Sequence, residues 1–335
     1  MRLKVAAVRT KVLEGLSELG YGGQETEIIA NVLMYAQTRG NNQGIPKIAT
    51  GGVPKAKDLE SFKLVKENKC GALFSGGHSM VASLAAAEKA VELAGKHGVG
   101  IAASNHTQSS SGSIGYFARQ IAKSGYIGLV CVGNGDWAAV APFGSAERKL
   151  GTNPLAYAFP YDGGEVVFDT ATAAIAYFGV VEAMLKGSSL PEGVALDSKG
   201  VPTVDPKDVM GDGKGESVGG AITTFAGHKG FGLSVLVQLL GSAFSLAGFP
   251  GGHGEDGAGT FVMAIDPGLL AGTDEYMKRS RELVDSLKSA KPIPGKKVLL
   301  PGEHGDALAK EVETTGEIDI PDGVWEKLVE FVEAN

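Results

Sequence analysis

Strand-length apolar runs alternating with helix-length segments from about residue 72 onward predict a mixed α/β or α+β fold. Residues 1–40 carry two helical patterns with no strand between them, which predicts a helical piece set apart from the main sheet. A third observation narrows the class. No G-x-G-x-x-G follows any expected strand and there is no P-loop, so the sheet is not expected to carry a glycine fingerprint for a nucleotide.

The elements follow in order. Val5, Val8, Val12, Leu13, Leu16 and Leu19 recur at roughly helical spacing, and Gly20, Gly22 and Gly23 then break the chain. Ile28, Ile29, Val32, Leu33, Tyr35 and Ala36 form a second apolar stripe over residues 25–38. Residues 39–54, RGNNQGIPKIATGGVP, read as a polar loop, and the charged residues 55–71 give no clear pattern. Next come a helix over 79–96, a strand over 99–103, a helix over 115–124 and a strand over 127–132. Two short strands at 155–159 and 166–169 precede a helix from about 175 to 185, and 187–220 is loop-like. A helix over 231–246, a glycine-rich loop, a strand over 260–265, a helix over 274–288 and a last helix over 322–333 complete the chain. The apolar run 230–249 is long enough to cross a bilayer, but Ser234, Gln238, Ser242 and Ser245 interrupt it, so a buried core helix is expected.

Composition restricts the function classes. Hydrophobic residues at 43% and charged residues at 21% of 335 describe a globular chain with enough length for a substantial core. A net charge of −7 offers no general attraction to nucleic acid or to anionic membrane, so any phosphate site must be local. Fifty glycines imply many tight turns and close backbone approaches. Cys70 and Cys131 lie far apart in apolar contexts and read as two reduced, buried thiols of a cytosolic protein. The start MRLKVAAVRT has no long apolar run, and no targeting segment is expected from it.

Several residue groups could carry chemistry. His106 follows a strand-like run and stands among Ser104, Asn105, Thr107, Gln108 and Ser109, a polar setting for a titratable imidazole. Asn41-Asn42-Gln43-Gly44 is a polar loop with Lys47 close behind it. Gly151-Thr152-Asn153-Pro154 is a turn, and Asp169-Thr170-Ala171 reads as a strand end and helix cap. Lys229, at the start of the long apolar helix, could help form an anion site. Leu300-Pro301-Gly302-Glu303 reads as a helix start. The one dense cluster of histidine and carboxylates, His253-Gly254-Glu255-Asp256, lacks a distant third ligand, so no metal is expected. No G-x-S-x-G elbow occurs, and neither cysteine has a histidine near it in sequence.

The order SNH, GYFA, GTNPLA, D-x-A-T and KG-x-G resembles the malate/L-lactate/L-sulfolactate dehydrogenase family of NAD(P)H-dependent oxidoreductases, over nearly the whole chain. The resemblance implies a non-Rossmann α/β fold. In it a helical domain (residues 1–71 and 300–335) packs beside a cofactor-binding sheet domain (72–299). It further implies a cytoplasmic homodimer acting on a small carboxylate with NAD or NADP, and no nucleic-acid or membrane partner. The activity implied is interconversion of a small 2-oxo acid and its 2-hydroxy acid. Reduction of a cyclic imine carboxylate is the alternative, and a catalytically silent dinucleotide-binding relative is the rival from another class.

By position in the family motifs, His106 belongs to the cofactor and substrate site and is a candidate proton carrier. Gln43 stands where the family has its acid/base histidine, Asn42 at the preceding serine, and Lys47 at the arginine that grips the substrate carboxylate. Glutamine cannot shuttle a proton but can donate a hydrogen bond, and lysine keeps the charge without the bidentate fork. Thr152 is the implied substrate donor. The implied cofactor contacts are His106, Thr107, Asn134, Gly135, Asp169, Thr170, Ala171, Lys229, Pro301, Gly302 and Glu303.

Overall fold

A computed structural model describes residues 1–135, 137–211, 219–252 and 257–334. Its centre is a seven-stranded mixed sheet. The strands are β2 (Lys63–Glu67), β3 (Gly71–Ser75), β4 (Val99–Thr107), β5 (Ile127–Gly133), β6 (Pro154–Tyr161), β7 (Gly164–Ala171) and β10 (Ala258–Ile265), in the order β2-β3-β4-β10-β5-β6-β7. Only β3 and β4 pair in parallel, joined through helix α4 (Ser79–His97) as the crossover. The other pairs are antiparallel.

Strand periodicity sorts the sheet's two faces. Ala102, Val130, Val132, Val262 and Ala264 join the main core under α4 and α5 (Gly115–Lys123). Their neighbours Ile101, Leu129, Cys131, Phe261 and Met263 form a separate cluster on the reverse face. The main core continues into α1 (Val5–Glu18) and α2 (Gly23–Thr38) through Val8, Val12, Leu16, Ile29 and Leu33, so the N-terminal helices share the sheet's core. The last helix, Asp322–Ala334, returns to pack on α1, and strands Arg2–Lys4 and Glu317–Asp319 pair beside it. A third cluster around Val140, Val180, Ala195 and Ile222 joins the segment between β5 and β6 to α6 (Tyr177–Lys186) and to the chain that leads to α8 (His228–Gln238).

The fold class is as expected, with three departures. The sheet begins at Lys63, before the boundary placed at residue 72, because β2 is an exposed edge strand whose charges mask its alternation. Cys70 is exposed rather than buried; Cys131 is buried, which pushes its thiol up to about 12. The expected core helix over 231–246 is the third. It is α8 followed by a π-helical turn, Leu239–Phe244, and most of its large apolar side chains face outward, with Leu236 44%, Leu239 57%, Phe244 61% and Leu246 69% exposed.

That inversion has a physical cause in the sheet beneath. The helix approaches so closely that a Cβ on Gly133 would lie 2.1 Å from Ser242 Oγ, and one on Gly259 2.1 Å from the Gly241 carbonyl. Only small residues fit at those contacts, so Ser234, Gly241, Ser242 and Ser245 are buried, while Val237 packs on Cys131 and Phe261 of the same sheet face. The polar interruptions are the packing face.

One ion cluster ties the helical part to the sheet. Arg119 on α5, 6% exposed, makes two bonds to Asp306 on α11 (Glu303–Thr315), at 2.5 and 2.6 Å, and reaches Glu165 on β7 at 3.3 Å. Arg39, at the end of α2, meets the same Asp306 at 3.2 Å and lies over the Tyr35 ring. Asp306→Asn leaves two guanidinium groups facing a neutral amide. Breaking a buried pair costs roughly 3–5 kcal/mol, and the partial exposure of Asp306 lowers the expected loss to about 2–3 kcal/mol. Urea denaturation measures it. A loss below about 1 kcal/mol would show the cluster to be a weak surface network.

Candidate active site

A cavity of about 610 Å³ lies where the loop before α3 (Pro46–Ala49), the serine run 109–113, the ends of β5 and β7, and α6 converge. That volume falls within the roughly 300–1,000 Å³ range usual for small-molecule sites. A larger groove of about 960 Å³ opens on the outer side of Asn41 and Asn42, against the C-terminal helix. It contains neither Gln43 nor Lys47, so the smaller cavity is where the candidate chemistry gathers.

The loop that carries Gln43 is locally determined. The Gln43 backbone N–H donates to Asn41 Oδ1 at 2.9 Å, an Asx turn, and its side-chain amide donates to Asn42 Oδ1 at 3.0 Å. Gly44 packs against α2, where a Cβ would lie 2.7 Å from the Gln37 side-chain oxygen and 3.1 Å from its backbone nitrogen. Lys47 follows on α3, only 8% exposed, and burial pulls its ammonium down to about 8. Among the described residues no carboxylate pairs with it. A buried, unpaired cation in a cavity wall is a binding group for an anion.

Asn153 fixes the second wall. It is fully buried at φ +42°, and its side-chain amide donates to Ser234 Oγ at 3.1 Å, the Ser234 carbonyl at 3.2 Å and Gln238 Oε1 at 2.8 Å, locking the turn onto α8. Asn tolerates the left-handed region better than most residues. Thr152 is thereby presented to the cavity beside Asn134, and a Cβ on Gly151 would strike the Asn134 side chain at 2.3 Å.

Asp169 closes the end of β7. Its Oδ2 accepts from Ser113 Oγ at 2.7 Å and from the Gly115 N–H at 2.8 Å, so it holds the serine run against the start of α5. Burial raises its pKa, and those two hydrogen bonds oppose the shift. The serine run has a second support in His78, which caps α4 by accepting from the Met80 N–H and packs edge-on against Tyr21 at 5.5 Å. Next to it, the Ser79 N–H donates to Ser109 Oγ, and Ser79 Oγ reaches Thr107 and the Ser109 carbonyl.

Burial pulls the His78 imidazole down to about 3, so it is neutral in the folded chain. Between pH 3 and 6.5 the unfolded chain binds the extra proton, so stability falls as pH drops through that window. From pH 7 to 5 the loss should be about 2 kcal/mol. His78→Asn keeps the cap and should remove this acid limb. Parallel pH–stability curves for the two proteins would refute the assignment.

The cavity brings together Gln43, Lys47, Asn134, Thr152, Asp169, Thr170 and Ala171 from the sequence-derived set. Gly135 adjoins it through Asn134, at φ +63°. The others stand elsewhere. His106, at φ +51°, ends β4 beside Gly257 and is not among the lining residues. Thr107 is buried and bonds the Ala258 carbonyl. Lys229 is exposed in the first turn of α8. Pro301 and Gly302 are exposed, and Glu303 begins α11, pairing with Lys288 and accepting from the Leu300 N–H. The cluster 253–256 lies outside the described residues, and no group that could hold a metal occurs among the described ones.

Sequence reasoning missed the aromatic wall of Trp137, Tyr177 and Phe178, which gave no motif signal. The polar lining has groups that suit a nicotinamide dinucleotide, with Asn134 and Thr170 offering hydrogen bonds at strand ends, while Gly135 makes room for the Gly257 backbone. No helix among the described residues is long and apolar enough to cross a membrane.

The family model for malate/L-lactate dehydrogenase matches residues 3–329. The L-sulfolactate dehydrogenase of Methanocaldococcus jannaschii is 30% identical, over 90% of this chain and 89% of its own length. The ureidoglycolate dehydrogenase (NAD(+)) of Escherichia coli K12 is 29% identical over 98% of this chain and 95% of that one. Among solved structures, delta1-piperideine-2-carboxylate reductase from Pseudomonas syringae pvar. tomato superposes with a TM-score of 0.82 at 25% identity, covering 99% of both chains. With its mixed, non-Rossmann sheet and flanking helices, the chain belongs to the malate/L-lactate dehydrogenase family of oxidoreductases.

Proposed function

We propose that the protein is a cytoplasmic, homodimeric NAD(P)-dependent oxidoreductase that interconverts a small 2-oxo acid and its 2-hydroxy acid. The observation that carries the reading is Lys47, a buried cation without a carboxylate partner among the described residues, in the wall of a cavity it shares with Gln43 and Thr152. When bound, the nicotinamide supplies or accepts the hydride. Lys47 holds the substrate carboxylate, and the Gln43 amide and Thr152 hydroxyl donate to the substrate oxygen. His106 carries the proton at that oxygen. Asn134, Thr170 and Ala171 hold the cofactor. The outward apolar face of α8 supports the dimer, since exposed patches of that kind mark interfaces.

Purified protein should oxidise NADH or NADPH in the presence of 2-oxo acids. A hundredfold excess of cofactor over its Kd should stabilise the fold by about 2.7 kcal/mol. Neither turnover nor a thermal shift with either cofactor would end the reading. A cyclic imine carboxylate as substrate has its support in the superposition on the piperideine carboxylate reductase. Gln43 in the histidine's place favours a second reading, a silent dinucleotide-binding relative, which cofactor binding without turnover on either substrate class would identify.

A further inference from the structure

The described lining of the cavity holds one cation, Lys47, and one carboxylate, Asp169. Two donors converge on Asp169 Oδ2, the Ser113 hydroxyl at 2.7 Å and the Gly115 N–H at 2.8 Å, an arrangement that suits the ionised form. Its other oxygen has no donor among the described residues. Another part of the wall is apolar, with Trp137 and Tyr177 edge to face at 4.9 Å and Phe178 and Val181 beside them.

We propose that the acid accepted here carries a single negative charge and an apolar remainder, and that dicarboxylic and sulfonated acids are rejected. The proposal rests on the reading of the cavity as a 2-oxo acid site and narrows it. One substrate carboxylate neutralises Lys47. A second anionic group would enter with no described cation to meet it and with Asp169 already in the wall, and desolvated like charges are a strong means of exclusion. An apolar remainder instead covers Trp137, Tyr177 and Phe178 and gains by leaving water. Malate and sulfolactate, named for several relatives, each carry two anionic groups, so the proposal expects this chain to differ from those relatives in substrate.

The test compares pyruvate, 2-oxobutanoate and 4-methyl-2-oxopentanoate with oxaloacetate and sulfopyruvate, using protein saturated with NADH and, separately, with NADPH. kcat/KM should favour the singly charged acids by about a hundredfold, the scale of an unmatched like-charge contact. Binding is read independently of turnover. Oxamate, with one charge, should shift Tm more than tartronate, with two. Val181→Arg should raise the oxaloacetate-to-pyruvate ratio at least tenfold. Equal or better use of oxaloacetate or sulfopyruvate would overturn the proposal, as would a Val181→Arg ratio unchanged from the parent protein. If neither oxamate nor tartronate binds and no acid is turned over, the acid-site reading itself fails and takes the proposal with it.

Discussion

Lys47→Met should raise KM for the acid substrate by about 10²–10³-fold, because removing one partner of a buried charge pair costs roughly 2–5 kcal/mol. The loss should fall on KM far more than on kcat, since the carboxylate is held alike in ground and transition states. pH gives an independent check. Burial pulls the Lys47 ammonium down to about 8, so the parent protein's KM should climb about tenfold per pH unit above that value. Lys47→Arg keeps its charge throughout and should flatten the climb. A KM that stays level from pH 7 to 10 in the parent protein would refute the carboxylate role.

Stability should move the other way. The folded-state pKa lies below the unfolded value of 10.5, so the unfolded chain binds more protons between about pH 8 and 10.5, and stability rises with pH there. At pH 7 the buried charge is a full liability, and Lys47→Met should be more stable by up to about 3 kcal/mol. A variant that gains Tm while losing substrate affinity cannot be dismissed as misfolded. It would show stability given up for function at this position.

The second large effect concerns the proton. If His106 carries it, His106→Asn should lower kcat by about 10²–10⁴, the usual scale for losing a general acid, with the reduced cofactor still bound. Asparagine is the better replacement than alanine because residue 106 sits at φ +51°, which asparagine adopts with less strain. Gln43→His should be tolerated, and activity toward ordinary 2-oxo acids should not fall. If His106→Asn leaves kcat unchanged while Gln43→Ala abolishes it, the proton comes from a water held by Gln43. The position of His106 outside the described cavity lining makes this pair of variants the decisive comparison.

Much of the fold was readable from residue patterns. Helical spacing in Val8, Val12 and Leu16 placed α1, and the apolar runs at 127–132 and 260–265 placed β5 and β10, because burial of one face imposes its period on the sequence. The Asn41–Gly44 loop was legible for a related reason, since the Asn41 side chain two residues before Gln43 shapes it. The turn at Asn153 was legible as a turn, but its anchors, Ser234 and Gln238, are distant in sequence.

What lay between distant segments was not legible. β2 becomes a strand only because β3 lies beside it, and its charged residues carry no alternation that marks a face. The apolar residues of α8 suggested a core helix. The glycines of β5 and β10 instead draw the helix's serines and glycine inward and leave Leu233, Leu236, Leu239 and Leu246 outside. Trp137, Tyr177 and Phe178 meet Lys47 and Asp169 across one cavity although they stand far apart in sequence. Residue order and type were enough to set the periodic elements, the local turns and the groups able to carry charge. Tertiary structure alone decided which of those residues share a cavity and which face of a helix is buried, because close packing depends on the shapes of surfaces brought together from distant parts of the chain.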